Sequence, residues 1–81
     1  MAGQKDRSTG EVLSDQWIFT KVKAGLTGEK DLNAGKIEVS VSRGVVTLKG
    51  LARTPKERRL AVAIAKTTKG VKDVVDDLTL P

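Results

Sequence analysis

Apolar and polar residues alternate on both sides of the pair Arg43-Gly44. This alternation predicts a β-hairpin in which Arg43-Gly44 forms a two-residue turn and Glu38 faces Lys49 across the strands. In that register one face of the hairpin is apolar and consists of Ile37, Val39, Val41, Val46 and Leu48. The opposite face consists of Glu38, Ser40, Ser42, Val45, Thr47 and Lys49. A shift of one residue would turn the apolar set towards water, so the pattern fixes the pairing and directs one face to a core.

A segment with helical periodicity precedes the hairpin. Ser14 or Asp15 is the predicted N-cap, and Gly28 ends the helix. Its apolar residues recur at four-residue spacing and are Ile18, Val22 and Leu26, with Phe19 at the edge of this stripe. Residues 1–12 are polar and show no period, so we predict a flexible N-terminal tail and a single folded domain over residues 13–81.

A second helix is predicted after the hairpin, over the segment PKERRLAVAIAKTTK at residues 55–69. Thr54 is its predicted cap, Pro55 suits its first position, and Gly70 is its predicted C-cap. The predicted inward face consists of Leu60, Ala61, Ile64, Ala65 and Thr68. The predicted far side includes Arg59, Val62 and Lys66.

The segment VKDVVDDLTL at residues 71–80 predicts a third strand. Strict alternation would direct Asp76 inward, so we expect Asp76 at a sheet edge or beside a bulge. A right-handed crossover through the second helix makes this strand parallel to the second strand. The predicted fold is therefore α+β: an αββαβ two-layer sandwich whose mixed three-stranded sheet carries two helices on one face.

The composition excludes most catalytic and metal-binding chemistry. The chain has 81 residues, a length typical of one small domain, and it contains neither Cys nor His. It therefore lacks the thiolate nucleophile, the imidazole base and the commonest ligands of zinc, copper and iron. We predict no enzymatic activity, no catalytic residues, no bound metal and no cofactor. The formal net charge of +5 favours an anionic partner, although charge of this size also serves solubility.

The same positions carry a resemblance to a known family. The first half of the pattern is Asp15-x-x-Ile18, Val22, Leu26, then Ile37-x-Val39-x-Val41-x-x-Gly44-Val45-Val46-x-Leu48-x-Gly50. The second half is Glu57-Arg58, Ala61, Ile64-Ala65, Gly70-Val71, Val74 and Leu78. This pattern resembles the BON domain family of bacteria, and the resemblance covers residues 14–80. It implies an αββαβ domain without a catalytic centre, found in osmotic-stress and outer-membrane proteins and usually proposed to bind phospholipid surfaces.

The resemblance implies a bacterial protein of the periplasm or envelope. Many members of the family carry two copies of the domain and an export signal, whereas this sequence shows one copy and no signal. If the chain is complete as written, we expect it in the cytoplasm. No stretch is long and apolar enough to predict a transmembrane span.

The first helix carries the predicted lipid-binding residues Trp17, Thr20, Lys21 and Lys23. Trp17 lies outside the apolar stripe of this helix, and an indole there could anchor in a lipid interface while Lys21, one turn on, meets a phosphate. The alternative is that Trp17 simply covers an edge of the core. Both interpretations stay open on the sequence alone.

Basic residues surround the start of the second helix and include the predicted phosphate contacts Lys56, Arg58 and Arg59, with Lys49 and Arg53 nearby. Free backbone N–H groups at a helix start add to the attraction for an anion. An ordinary solvated surface is the favoured alternative, because charge runs are commonly exposed.

Three other patterns favour structural roles. Gly25-Leu26-Thr27-Gly28 matches the GxxG loop of nucleic-acid-binding KH domains, but helix termination explains it better, and we expect no nucleic-acid partner. The carboxylates of Asp73, Asp76 and Asp77 have no further ligands at a recognisable spacing, and protection of an edge strand explains them better than a metal or acid/base site. The glycines with predicted structural roles in turns, close packing or caps are Gly44, Gly50 and Gly70.

The sequence therefore favours a non-enzymatic module that binds anionic phospholipid surfaces. The alternative is a protein-interaction or assembly module that pairs with another protein domain, or with itself, through the open sheet face or a strand edge. Sensing of an ion or small ligand is a further alternative, for which the chain shows no ligand cage.

Overall fold

The structure is a computed structural model, and it describes residues 14–81. The predicted tail over residues 1–12 lies outside the described residues. The elements follow in the order α1 (Asp15–Thr27), a short 3-10 helix (Ala34–Lys36), β1 (Ile37–Ser42), β2 (Val45–Leu51), α2 (Pro55–Thr67) and β3 (Asp73–Thr79).

The hairpin has the predicted register over its whole length. β1 and β2 pair antiparallel from Ser42 opposite Val45 at the turn to Glu38 opposite Lys49. Arg43 and Gly44 both have positive φ, at 53° and 82°. Positive φ at both central residues is the geometry of the type I′ turn, whose twist matches that of the strands it joins.

The carboxylate of Asp15 binds the tip of this hairpin. Its Oδ2 accepts the backbone N–H of Arg43 at 2.8 Å, and its Oδ1 accepts that of Gly44 at 3.0 Å. Ser14 is the N-cap of α1, since its Oγ accepts the N–H of Trp17 at 3.1 Å. The Asp15 side chain is therefore free to link the first turn of α1 to Arg43 and Gly44, which lie 28 and 29 positions further along the chain.

The sheet is mixed, as predicted. Its strand order is β1-β2-β3, with β2 in the centre and β3 parallel to it. α1 and α2 cover the apolar face of the sheet. The largest fully buried side chains are Ile18, Val22 and Leu26 of α1 together with Val46 and Leu48 of β2.

The structure corrects two details of α2. The predicted C-cap Gly70 lies beyond the helix, which ends at Thr67 with Thr68 as its C-cap. The hydroxyls of Thr67 and Thr68 both donate to the carbonyl of Ile64, and such bonds favour helix ends. Val62, predicted on the far side, is half-buried against the core, as is Ile64. Small residues, Ala61 and Ala65, form the buried centre of this face, so α2 lies close to the sheet and its flanks also meet the core.

Gly50 permits a close approach between β2 and the chain that enters β1. Its φ is +112°, and a Cβ atom at this position would overlap with the carbonyl oxygen of Lys36. Any side chain at position 50 would therefore push β2 away from the backbone of Lys36. It would also strain the backbone of residue 50 itself, because its φ is positive.

We expect Asp15→Asn to lower the free energy of unfolding by about 1–3 kcal/mol, because one charge-assisted acceptor of the hairpin turn becomes a donor. Urea denaturation measures this loss. Asp31→Asn, at an exposed carboxylate in the loop after α1, is the matched control and should change little. Equal stability of the two variants would contradict the proposed role of Asp15.

We expect Gly50→Ala to cost at least about 2 kcal/mol, from backbone strain and overlap with Lys36 together. Gly35→Ala is the control, since a Cβ at Gly35 would lie 3.4 Å from the Asn33 side chain, at ordinary contact distance. Thermal unfolding should separate the two variants clearly, and the account of Gly50 is wrong if it does not.

Candidate functional site

Trp17 and Lys21 lie together on the exposed side of α1. Trp17 is 37% exposed, the Lys21 Nζ stands 5.5 Å from the centre of its ring, and the two residues are one helical turn apart. At this distance the ammonium group interacts with the face of the indole. The pair thus presents an aromatic body and a positive charge to solvent at one place.

Only part of the predicted lipid-binding set joins this pair. Thr20 is exposed beside Trp17, and its hydroxyl donates to the carbonyl of Gln16 at 2.9 Å. Lys23 is half-buried on the other flank of α1, where it lines a groove with Phe19 and Lys36. The structure therefore brings Trp17, Thr20 and Lys21 together and separates Lys23 from them.

A buried carboxylate organises the start of α2. Glu57 accepts the backbone N–H of Arg53 at 3.0 Å, and its Oε2 meets the Arg53 guanidinium at 2.7 Å. Thr54 Oγ1 in turn accepts the N–H of Glu57 at 3.1 Å, so the N-terminus is capped. The hydrogen bonds from Arg53 hold the pKa of Glu57 below its ordinary value, and Glu57 raises the pKa of Arg53. Arg53 is consequently compensated and contributes little to the basic surface.

Arg58 also forms an ion pair, with Asp76 on β3. Its Nε donates to the Asp76 carboxylate at 2.7 Å, and Asp76 also accepts the N–H of Leu78 at 3.1 Å. Burial alone would raise the pKa of Asp76, but the hydrogen bonds from Arg58 and Leu78 and the charge of Arg58 outweigh it, so the pKa lies below its ordinary value. The predicted inward direction of Asp76 at an edge strand is thus explained by its partner on α2.

A shallow groove of about 470 Å³ runs between α2 and β3. Its lining residues are Pro55, Arg58, Arg59, Val62, Ala63, Lys66 and Asp76. Of the predicted phosphate contacts, Arg58 and Arg59 line this groove, whereas Lys56 is exposed outside it. Lys66 joins them there, so the structure extends the basic region along α2 rather than around its start.

The remaining patterns have structural explanations. Gly25-Leu26-Thr27-Gly28 forms the end of α1, with Leu26 fully buried, so it is no nucleic-acid loop. Within residues 14–81 no three acidic, His or Cys side chains gather as a metal site. The three glycines Gly44, Gly50 and Gly70 all have positive φ.

The comparison with protein families decides the classification. The family model for the BON domain matches residues 14–81, the whole of the described chain. The chain belongs to the BON domain family. This family consists of non-catalytic binding domains, and its αββαβ element order is the one observed here.

Two relatives of this BON domain show how it occurs in longer proteins. Osmotically-inducible protein Y of Escherichia coli strain K12 is 36% identical over 81 residues, covering 95% of this chain and 40% of that protein. An uncharacterized protein in the gshII 5' region of Anaplasma centrale is 32% identical over 81 residues, covering 99% of this chain and 54% of that protein. The chain therefore spans about half or less of each relative. Across the described part of the BON domain, no helix is long and apolar enough to cross a membrane.

Three features of this BON domain escaped prediction from the sequence. Asp15 was a candidate helix cap, and its contact with the hairpin turn depends on the tertiary fold. The burial of Glu57 was missed although the Thr54-x-x-Glu57 spacing matches a capping box and could have indicated it. Lys66 was assigned to a far side without function, because its position over β3 depends on how α2 is rotated on the sheet.

We expect the stability of this BON domain to fall on acidification, partly through Glu57. Its carboxylate has a depressed pKa in the fold, so its contribution is complete above the ordinary value of 4.5 and is lost as the pH falls through the folded pKa. Glu57→Gln should therefore be less stable at neutral pH and lose less stability below pH 4.5. Urea denaturation at several pH values measures both effects, with Glu29→Gln as control. Parallel curves for Glu57→Gln and the native chain would contradict this assignment.

Proposed function

We propose that this BON domain is a non-enzymatic module that attaches to anionic phospholipid surfaces through the exposed side of α1. The observation that carries the proposal is the pairing of Trp17 with Lys21, whose Nζ lies 5.5 Å from the indole centre. An indole is stable at the depth of lipid headgroups, where its ring leaves water and its N–H can still find a polar partner. A lysine beside it can reach a lipid phosphate with its charged end.

The charge of the domain supports an anionic surface but predicts weak attachment. The formal net charge is +5, and each basic residue near an anionic membrane contributes about 1 kcal/mol. Because such contributions are screened within a Debye length, binding should fall as salt rises. A single exposed Trp adds a limited apolar contact, so the domain alone should bind reversibly.

The predicted phosphate contact on α2 has fewer available basic side chains than the three that the sequence indicates. Arg58 is held by Asp76 at 2.7 Å, and its charge is compensated there. Lys56 and Arg59 are exposed, and no ion pair within residues 14–81 involves them. They are the residues of the predicted set that could reach a phosphate, with Lys66 further along α2.

The cellular setting that we propose is the bacterial envelope under osmotic stress. The family and the name of the Escherichia coli relative, osmotically-inducible protein Y, support it. Because the chain spans 40% of that relative, the activity and location of a whole protein carrying this domain remain proposals.

Vesicle binding tests the proposal. Vesicles that mix phosphatidylglycerol with phosphatidylcholine should bind the domain and shift Trp17 emission to the blue, whereas pure phosphatidylcholine vesicles should not. Lys21→Glu should weaken binding at least about fivefold, as expected for the loss of about 1 kcal/mol. Trp17→Ala should weaken it as well.

Lys23→Glu is the matched control, because it makes the same charge change on the other flank of α1. It should weaken binding less than Lys21→Glu does. Equal losses from the two lysine variants would indicate a general charge effect without a defined surface. Unmoved Trp17 emission and unchanged binding in Trp17→Ala would rule out α1 as the lipid contact.

A further inference from the structure

The two edges of the sheet differ in how their backbone groups are satisfied. At β3 the N–H of Ala52 donates to the Thr79 carbonyl, so alternation directs the N–H groups of Val74 and Leu78 away from β2. The Asp73 carboxylate accepts the first of these at 2.8 Å, and the Asp76 carboxylate accepts the second at 3.1 Å. Two of the outward N–H groups of β3 are therefore capped by its own acidic side chains, which hinders pairing at that edge.

The β1 edge has no such protection among the described residues. Because Ser42 and Val45 close the two-residue turn, hydrogen-bonded pairs alternate from there, and the backbone N–H and C=O groups of Val39 and Val41 point away from β2. The neighbouring donor of Ile37 is engaged with the carbonyl of Ala34. Within residues 14–81, Val39 and Val41 thus keep a short row of donors and acceptors open at the sheet edge.

A groove beside this edge has room for the side chains of another strand. It holds about 310 Å³ and is lined by Asp15, Gln16, Phe19, Val39, Ser40 and Val41. Phe19 is half-buried at the flank of α1 and packs against the core from this side. A strand added to β1 would bring apolar side chains from its inner face against Phe19.

We propose that the occupant of this edge is the β1 strand of a second copy of the chain, paired antiparallel about a two-fold axis at Ser40. In this register Val39 of each copy pairs with Val41 of the other, and all the open backbone groups of both residues are used. Shifting the axis to Val39 would pair Val41 with Ile37, whose N–H is already engaged. The open donors therefore select one register.

The side chains along β1 are compatible with this self-pairing. About the axis, Ser40 faces Ser40, Glu38 faces Ser42, and Ile37 faces Arg43, so no two like charges stand directly opposite each other. β1 also contains no Pro and no Lys, the residues that commonly block edges. The interface is short, so the dimer should form only at high protein concentration.

Pairing about this axis would leave the helix layers of both copies on the same face of one six-stranded sheet. The exposed sides of the two α1 helices would then face the same way. The self-association does not depend on lipid binding, and it is measured without lipid.

Charge placed at the axis tests the dimer. Sedimentation equilibrium should show the native chain rising from 8.7 kDa towards twice that mass as its concentration approaches about 1 mM. Ser40→Lys and Ser40→Asp should each stay monomeric, because like charges then meet across the axis. An equimolar mixture of the two variants should restore the dimer.

Val75→Lys is the matched control, since it adds the same charge at an exposed position on β3 and should dimerise like the native chain. Amide exchange gives a second readout, because Val39 and Val41 should gain protection with concentration while Val74 should not. A native chain that is monomeric at about 1 mM, or dimerisation undisturbed in Ser40→Lys, would overturn the proposal. A mixture of the two Ser40 variants that stays monomeric would overturn the register.

Discussion

The carboxylate of Asp15 fixes the relation between the first helix and the sheet. It accepts the N–H groups of Arg43 and Gly44, so the start of α1 is tied to the tip of the hairpin. That attachment brings the apolar stripe of α1 onto the inner face of β1 and β2. It also determines which side of α1 remains exposed, and therefore where Trp17 meets solvent. A residue without catalytic chemistry thus positions the surface on which the proposed function depends.

The sequence predicted those parts of the fold that depend on local alternation. The hairpin register was predictable because the two-residue turn and the apolar face admit only one pairing. The stripe of α1 was predictable from its four-residue spacing, and the parallel direction of β3 followed from crossover handedness. The inward face of α2 was less predictable, because its centre consists of Ala61 and Ala65, and small residues let both flanks approach the core. Val62 was misplaced for that reason.

The candidate site was less predictable from the sequence than the fold. Helical spacing places Trp17, Thr20 and Lys21 on one side of α1, and the same spacing turns Lys23, two residues beyond Lys21, to the other flank. What the spacing does not show is the groove that Lys23 lines there with Phe19 and Lys36. A count of basic residues near α2 overestimates the positive charge that is available to bind a phosphate. Glu57 lies four positions after Arg53 in the sequence, whereas the partner of Arg58 is 18 positions away on β3. Which cations are available to a phosphate is decided by tertiary partners, and a sequence shows only their number.

The parallel pairing of β2 with β3 has a consequence for synthesis. β2 is the central strand, and one of its two neighbours is the last element of the domain, Asp73–Thr79. A growing chain can form the hairpin and both helices early, but the sheet lacks its third strand until these residues have left the ribosome. Cooperative folding must therefore wait for translation of the whole domain. Until then the backbone N–H and C=O groups along that edge of β2 are unpaired, and chaperones or neighbouring nascent chains can reach them.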